Sequence, residues 1–410
     1  MTLLSMAFRE QIKSTKDLSM KSEMTYAVSY PTGFMGMDFA NGYIQEINGK
    51  MYFELGISDG SMNEVISDSG VGKTTLATQI ASNIIKPFKT SCIFYEQAES
   101  TGTNIQRLKN LTGMDDEEFE KRFIVRDAGI TTESIYDRVR MISDIKTKNP
   151  EEYMYDTGLC DFHGKPIYKF EPTIMIIDSL KLVLSKKGSD AEEISNMSAA
   201  QNANSNSQYY GKMLPLCKLA NIIIITINHI TTDINTGFLP KKPQFPYLKQ
   251  GEYISGSKTF HYMQNNIFRL DIKSKLKEED GLGILGSVVN LDVVKSRTNT
   301  SDRAKCSLVF DQATGYDNDL SLFYMLKDRK LLEGSGAFLK LPGCDIKFSQ
   351  KKFKEYLYSN QDFFNAFVTL CVNTLRDELI EEYERIKREA NLTANTKSPY
   401  EVMLEQLKTV

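Results

Sequence analysis

The feature that most constrains this chain is a short glycine-containing segment between a predicted strand and a predicted helix. The apolar pair Val65-Ile66 leads into Ser67-Asp68-Ser69-Gly70-Val71-Gly72, and an apolar helical pattern begins after Lys73-Thr74-Thr75. Small residues let the backbone curl so that successive N–H groups point inward, and the following helix directs its N-terminus at the same point. The order predicts a phosphate-binding loop, in which Lys73 is the charge for the outer phosphates and Thr74 a hydroxyl ligand of Mg²⁺.

One position departs from the usual pattern G-x-x-x-x-G-K-[ST], because Ser67 stands where the first glycine is expected. Glycine suits that position because it allows a tight turn, and serine is small enough to keep the loop with a slightly different first turn. The alternative is a chance Gly-Lys-Thr in an ordinary turn, which the flanking strand and helix patterns argue against. We therefore expect residues 67–75 to bind ATP with Mg²⁺.

Composition bounds the other functions. The chain has 410 residues, enough for two or three domains, and a net charge of −3, so any DNA site must be a local patch. Its six cysteines include no C-x-x-C pair and its three histidines are dispersed, which argues against zinc and favours reduced, intracellular thiols. No apolar run approaches the roughly 20 residues that span a bilayer, and no signal peptide is evident. We expect a soluble cytoplasmic protein without a membrane partner.

The next predicted strand, 91–96, ends in Glu96-Gln97-Ala98-Glu99. A carboxylate at the carboxyl end of a strand beside the loop is where a water-activating base would lie. Glu96 is the first choice and Glu99 the second. Either residue could instead cap the helix predicted from Asn104.

Two further buried strands end in polar residues. Four apolar residues, 174–177, precede Asp178, which is placed to hold the Mg²⁺ shell; the alternative is a helix N-cap. Another apolar run, 222–227, ends in Asn228-His229, which would face the terminal phosphate. A lone histidine is, however, more often structural.

Two polar segments are candidates for contact with single-stranded DNA. The first follows Asp178 and carries Lys186 and Lys187, and the second, about 231–259, interleaves lysines with aromatic residues. Cations for phosphates and rings for base stacking are what single-strand binding needs, and the alternative is a solvated loop. The candidates in the second segment are Lys241, Lys242, Phe245, Lys249 and Lys258.

These patterns predict an α/β protein in three parts. Residues 1–27 form a short docking helix or tether, and residues 28–344 form the core, with a surface insertion at about 146–172. Residues 345–410 form a mainly helical C-terminal domain, with helices over 353–358 and 363–388.

In this order the motifs resemble those of RecA-type recombinases, most closely the UvsX-like recombinases of large phages, over roughly residues 28–345. The similar segments are Pro31–Asp38, Asp178-Ser179, Asn228-His229, Ser255-Gly256-Ser257, Phe268–Ile272 and Val294-Lys295-Ser296-Arg297. The resemblance implies a RecA-like ATPase core with a mainly parallel central sheet. It also implies that Lys295 and Arg297 reach the ATP of a neighbouring subunit.

The implied activity is DNA-dependent ATP hydrolysis by a helical filament on single-stranded DNA, which pairs with duplex DNA and exchanges strands in recombination and repair. Mediator and single-strand-binding proteins are the further partners, in the host cytoplasm for a phage protein. The first DNA loop, around Met197, carries Gln and Asn where cellular relatives have Arg, so the second loop is expected to contribute more. Alternatives are a hexameric helicase motor of the DnaB type and a regulatory RecA-fold ATPase that exchanges no strands.

Overall fold

The computed structural model describes residues 27–47, 49–99, 104–160, 164–186, 196–232, 242–276, 286–298, 305–335 and 338–395. Side chains are not described for 196–205, 335 and 391–395. The predicted docking element at 1–27 therefore lies outside the described residues, apart from Ala27.

The strands are, in chain order, β1 Ser29–Tyr30, β2 Tyr43–Ile47, β3 Lys50–Glu54, β4 Ile57–Ser58, β5 Met62–Ser67, β6 Ile93–Gln97, β7 Phe123–Arg126, β8 Met154–Cys160, β9 Pro166–Phe170, β10 Thr173–Asp178, β11 Ile222–Thr232, β12 Glu252–Ile254, β13 Asn266–Lys275, β14 Gly286–Ser296, β15 Lys305–Asp311, β16 Gly315–Asp317, β17 Glu333–Ser335, β18 Phe338–Lys340 and β19 Lys347–Phe348. The helices are α1 Met35–Ala40, α2 Lys73–Ile85, α3 Ile105–Thr112, α4 Asp116–Arg122, α5 Thr132–Lys148, α6 Pro150–Tyr153, α7 Asn196–Ala220, α8 Lys258–Met263, α9 Asn318–Asp328, α10 Phe353–Ser359 and α11 Gln361–Asn395. Short 3₁₀ turns cover Leu180–Leu182 and Gln350–Lys352.

A ten-stranded sheet forms the centre of the fold, in the order β16-β15-β14-β13-β5-β11-β10-β6-β7, with β12 paired to β11. All neighbours from β13 to β7 are parallel, whereas β14, β15 and β16 continue the sheet in antiparallel fashion. The central strands are continuous apolar runs, such as Ile222–Ile225, because helices cover both of their faces. The predicted α/β class with a mostly parallel sheet is confirmed.

Side chains alternate along each strand and so enter two separate cores. On β6, Ile93 and Tyr95 pack on the face that α2 covers, together with Leu76 and Ile80. Phe94, one residue along, packs on the opposite face, where α5 and α7 supply the apolar side chains. The face that a residue of β6 occupies therefore decides which helices it can contact.

The predicted surface insertion at about 146–172 is a β-hairpin joined to the end of α5. Strands β8 and β9 pair in antiparallel fashion, and the hairpin contacts the start of the core. The hydroxyls of Tyr155 and Tyr30 lie 2.8 Å apart, and Lys169 Nζ lies 2.8 Å from the buried carboxylate of Asp59. The hairpin therefore contacts β1 through Tyr30 and the residue after β4 through Asp59, besides forming part of the surface.

The predicted domain boundary at 344/345 falls inside a continuous structure. Strands β18 and β19 pair across it, and Phe363 and Phe367 of α11 join Val309 of β15 and Phe323 of α9 in one apolar cluster. The C-terminal helices themselves are confirmed as α10 and α11. They share that apolar cluster with β15 and α9.

A search of the described helices finds none long and apolar enough to cross a membrane.

Candidate functional site

An open polar cleft lies at the carboxyl edge of the parallel strands, where β5, β10 and β6 end and where β11 continues past His229 to Thr232. Ligands of open α/β sheets bind at this edge. The cleft is open to solvent, and the space between its walls and at its mouth is about 990 Å³. Its lining residues are Ser69, Gly70, Gly72, Lys73, Thr74, Thr75, Glu99, Arg107, Asp178, His229, Phe310 and Gln312.

Residues 67–72, here called the glycine loop, connect β5 to α2. Gly70 and Gly72 adopt left-handed φ angles of 79° and 93°, and a Cβ on Gly72 would lie 2.9 Å from the ring of Phe310. Ser67 has no left-handed φ and ends β5 as an ordinary strand residue. The positions of the loop that require glycine are therefore 70 and 72, and the backbone at 67 accepts serine. Helix α2 begins at Lys73 and directs its N-terminus into the cleft.

Lys73 is buried at the base of the glycine loop. Its Nζ donates hydrogen bonds to Asp68 O at 2.7 Å and to Ser67 O and Oγ, both at 3.1 Å. Burial lowers the pKa of Lys73 to about 8, against the attraction of the Asp178, Asp68 and Glu99 carboxylates. Among the described residues, no carboxylate forms an ion pair with this cation in the cleft.

Asp178 accepts two hydrogen bonds on a single oxygen. Thr74 Oγ1 donates to Oδ2 at 2.7 Å, and the hydroxyl of Tyr95 donates to the same atom at 2.9 Å. Burial raises the pKa of Asp178, while the bonds from Thr74 and Tyr95 oppose the rise. The N-cap alternative is wrong, because the turn at Leu180–Leu182 begins at Ser179 without a side-chain cap.

Glu99 and His229 meet across the cleft, with His229 Nε2 3.0 Å from Glu99 Oε1. Both side chains are partly exposed and both line the cleft. A carboxylate and an imidazole in contact can hold and exchange a proton with a bound water. The two residues predicted separately from the sequence are therefore brought together.

Glu96, the preferred base in the sequence analysis, lies elsewhere. Its side chain is fully buried on the α5 face, where Arg138 Nε lies 3.1 Å and Arg126 Nε 3.7 Å from its carboxylate oxygens. Burial raises the pKa of Glu96, and the two guanidinium groups oppose the rise. The preference for Glu96 over Glu99 is corrected, because strand alternation turns Glu96 away from the face of α2.

Asn228 also faces away from the cleft. Its Nδ2 donates to Glu64 Oε1 at 2.9 Å and to Ser255 O at 2.7 Å, and the side chain is fully buried. The expectation that Asn228 contacts a terminal phosphate is wrong for the placement observed here. Of the pair, only His229 lines the cleft.

Lys295 and Arg297 lie outside the cleft, against the carboxyl end of helix α8. Lys295 Nζ donates to His261 O at 2.7 Å and Tyr262 O at 2.8 Å, and Arg297 Nη2 also donates to Tyr262 O. Burial and, to a smaller extent, the charge of Arg297 lower the pKa of Lys295 to about 8. Within one chain the two cations cap a helix end, which is a favourable place for positive charge.

The candidate DNA-binding residues differ in exposure, and some of them lie outside the described residues. Lys186, Lys242, Lys249 and Lys258 are exposed, and Lys249 Nζ lies 3.5 Å from Asp271. Lys187 and Lys241 lie outside the described residues, and Met197 lies on α7 with its side chain undescribed.

Phe245 was expected to stack on a base, but it is buried. Its ring stacks on Tyr247 at 5.2 Å and packs edge-on against His261. The prediction for Phe245 is therefore wrong. The exposed rings nearby belong to Tyr253 and Tyr262.

Several cleft residues were missed by sequence reasoning. Arg107 of α3 donates to Gln312 O at 3.0 Å and to Thr75 Oγ1 at 3.4 Å, so it adds a second cation beside the glycine loop. Tyr95 was predicted only as part of the strand 91–96, and no role was predicted for Phe310. No local signal marks them, because Arg107 and Phe310 reach the cleft, and Tyr95 reaches Asp178, only through tertiary packing.

The fold and cleft define the class of protein: an α/β protein with a polar cleft at the carboxyl edge of a mostly parallel sheet. The sequence matches no protein-family model and no curated protein.

The cleft holds two oxygens that suit a metal ion. Within the described part of the chain, no three His, Cys, Asp or Glu side chains group to hold a metal. Thr74 Oγ1 and Asp178 Oδ2, 2.7 Å apart, are two adjacent oxygens of the kind that bind Mg²⁺. Magnesium usually completes its shell with water and phosphate oxygens, so these residues fit an ion that arrives with a nucleotide.

Proposed function

We propose that the cleft binds Mg²⁺–ATP and hydrolyses it to ADP and phosphate. The observation that carries the proposal is the start of α2, which follows two left-handed glycines and begins with Lys73 and Thr74. The Thr74 hydroxyl lies 2.7 Å from Asp178 Oδ2. A helix N-terminus and a buried cation attract phosphate, and a hydroxyl beside a carboxylate suits magnesium.

Each residue of the cleft has a role that follows from its chemistry. The glycine loop and the N-terminus of α2 supply N–H groups, Lys73 supplies charge to the outer phosphates, and Thr74 and Asp178 would hold the metal. Glu99, in contact with His229, orients and deprotonates the attacking water. The nucleotide itself supplies the phosphoryl group that water accepts.

We further propose that ATP is used to build a filament on single-stranded DNA that pairs with duplex DNA and exchanges strands. The order of motifs, which resembles that of RecA-type recombinases, supports this proposal. So do Lys242, Lys249 and Lys258, which are exposed in a protein of net charge −3. Lys295 and Arg297 would act on the nucleotide of a neighbouring subunit, through the heterologous contact that a helical filament requires.

Electron microscopy with single-stranded DNA and a non-hydrolysable ATP analogue tests the filament proposal. We expect open helical filaments that require both nucleotide and DNA, and phosphate release that DNA stimulates. Closed six-fold rings would instead favour a helicase motor of the DnaB type. Nucleotide binding without any assembly on DNA would favour a regulatory ATPase.

A further inference from the structure

Ser67 contacts the ammonium group of Lys73 from the position where the loop pattern has glycine. The contact from Lys73 Nζ to Ser67 Oγ is 3.1 Å, and Ser67 is fully buried at the end of β5. Ser67 Oγ also donates its own hydrogen to Asp68 O at 2.8 Å. Because that hydrogen is engaged, the Ser67 oxygen can meet Lys73 only as an acceptor.

The loop supplies one acceptor for each hydrogen of the Lys73 ammonium group. An ammonium group has three hydrogens, and three acceptors lie within hydrogen-bond distance: Asp68 O, Ser67 O and Ser67 Oγ. A buried cation needs such partners, because leaving its hydrogens unpaired would cost free energy. A phosphate oxygen that binds Lys73 must therefore displace one of the three.

We propose that the Ser67 hydroxyl restrains Lys73 and thereby weakens the binding of nucleoside di- and triphosphates. The inference rests on the proposed function, because it concerns the same cleft. With glycine or alanine at position 67, the two backbone carbonyls would remain as acceptors. One ammonium hydrogen would then be free for a phosphate oxygen, without a bond having to break first.

Ser67→Ala is the variant of choice, because glycine would also add backbone freedom to the strand end. We expect Ser67→Ala to bind ATP and ADP about three- to tenfold more tightly than the wild type, the range of one net hydrogen bond. The affinity for AMP should not change, because the loop lysine reaches the β- and γ-phosphates. Equilibrium titration of the three nucleotides, with Mg²⁺ present, measures this difference.

Ser82→Ala is the matched control. Ser82 is a buried serine of α2 whose hydroxyl donates to a backbone carbonyl, Thr112 O, at 2.9 Å, away from the cleft. It should leave the affinities for ATP, ADP and AMP unchanged. If Ser67→Ala binds AMP more tightly by the same factor as ATP and ADP, the substitution has reshaped the cleft. That result would overturn the proposed restraint.

The reactivity of the Lys73 amine gives a readout that requires no nucleotide. Brief acetylation followed by mass spectrometry should modify Lys73 faster in Ser67→Ala than in the wild type or in Ser82→Ala. If Lys73 reacts faster but neither protein binds nucleotide, the restraint stands and the proposed function fails. If affinity and reactivity both stay at wild-type values, the restraint itself is wrong.

Discussion

At the scale of single residues, Lys146 shows how two backbone carbonyls accommodate a buried amine. Its Nζ donates to Glu171 O at 2.6 Å and to Ala220 O at 3.0 Å, so it joins the hairpin and α7 to the end of α5. Burial lowers the pKa of Lys146 to about 7, although Cys92 and Glu171 oppose this. A neutral amine has two hydrogens, and the two carbonyls accept both.

This arrangement predicts a rise in stability with pH. Between about pH 7 and 10, an unfolded lysine is protonated and native Lys146 is largely neutral, so the unfolded chain binds more protons. The free energy of unfolding should then rise by up to about 1.4 kcal/mol per pH unit from this residue. We expect urea unfolding at pH 7, 8 and 9 to show that the free energy of unfolding of the wild type, minus that of Lys146→Met, increases with pH. Parallel pH dependences would contradict the assignment.

Glu96 and Glu99 give the second prediction at this scale. Glu99→Gln should still bind ATP but hydrolyse it on the order of a hundredfold more slowly, because the water loses its base. Glu96→Gln should keep hydrolysis yet lose about 2 kcal/mol of stability, because Arg126 and Arg138 are left without a counter-charge. Phosphate release and urea unfolding measure the two effects. An inactive Glu96→Gln beside an active Glu99→Gln would reverse the assignment.

At the scale of elements, short sequence runs predicted which segments form strands more reliably than where those strands lie. The runs at 174–177 and 222–227 are strands because they are apolar enough to be covered on both faces. The prediction for Glu96 was wrong because it used the position of Glu96 near the end of its strand and did not consider which face of the strand the side chain occupies. The hairpin at β8 and β9 was missed because its alternation is weak and its partners, Tyr30 and Asp59, are distant in sequence.

Helix α11 offers a matched pair of phenylalanines for testing the shared core. Phe367 is 2% exposed and joins the cluster with α9 and β15, whereas Phe364 is 39% exposed. Phe367→Ala should lower the free energy of unfolding by about 3–5 kcal/mol, and Phe364→Ala by less than about 1 kcal/mol. In both variants we expect a single calorimetric transition. Two transitions, of which only one shifts in Phe367→Ala, would mean that the C-terminal helices fold independently.

At the scale of the whole molecule, the cleft was largely predictable and its surroundings were not. The glycine loop and Asp178 follow the ends of parallel strands, and His229 lies on β11 opposite Ser67, the last residue of β5, so the parallel pairing brings them together. Arg107, Tyr95 and Phe310 could not be assigned to the cleft in this way. Arg107 and Phe310 line the cleft, and Tyr95 contacts Asp178, only through packing between elements far apart in sequence, which no local pattern encodes.

The proposed filament makes a prediction about two subunits. Arg297→Ala should bind ATP through its own glycine loop but hydrolyse it on the order of a thousandfold more slowly, as expected for a cation that acts on a neighbour. Mixing Arg297→Ala with Lys73→Ala should restore part of the hydrolysis on DNA, because some interfaces then pair two intact halves. Mixed filaments that recover no activity at any ratio would place both functions in one subunit or exclude the role of Arg297.

The central claim, that the cleft is a Mg²⁺–ATP site, is tested most directly by calorimetric titration of ATP into wild type and Lys73→Ala. The account predicts Mg²⁺-dependent binding at one site per chain in the wild type. It predicts binding at least about a hundredfold weaker in Lys73→Ala, since a charge-assisted bond to phosphate is lost. The variant should keep the thermal unfolding profile of a folded protein. Equal binding by the two proteins, or no binding by the wild type, would contradict the claim.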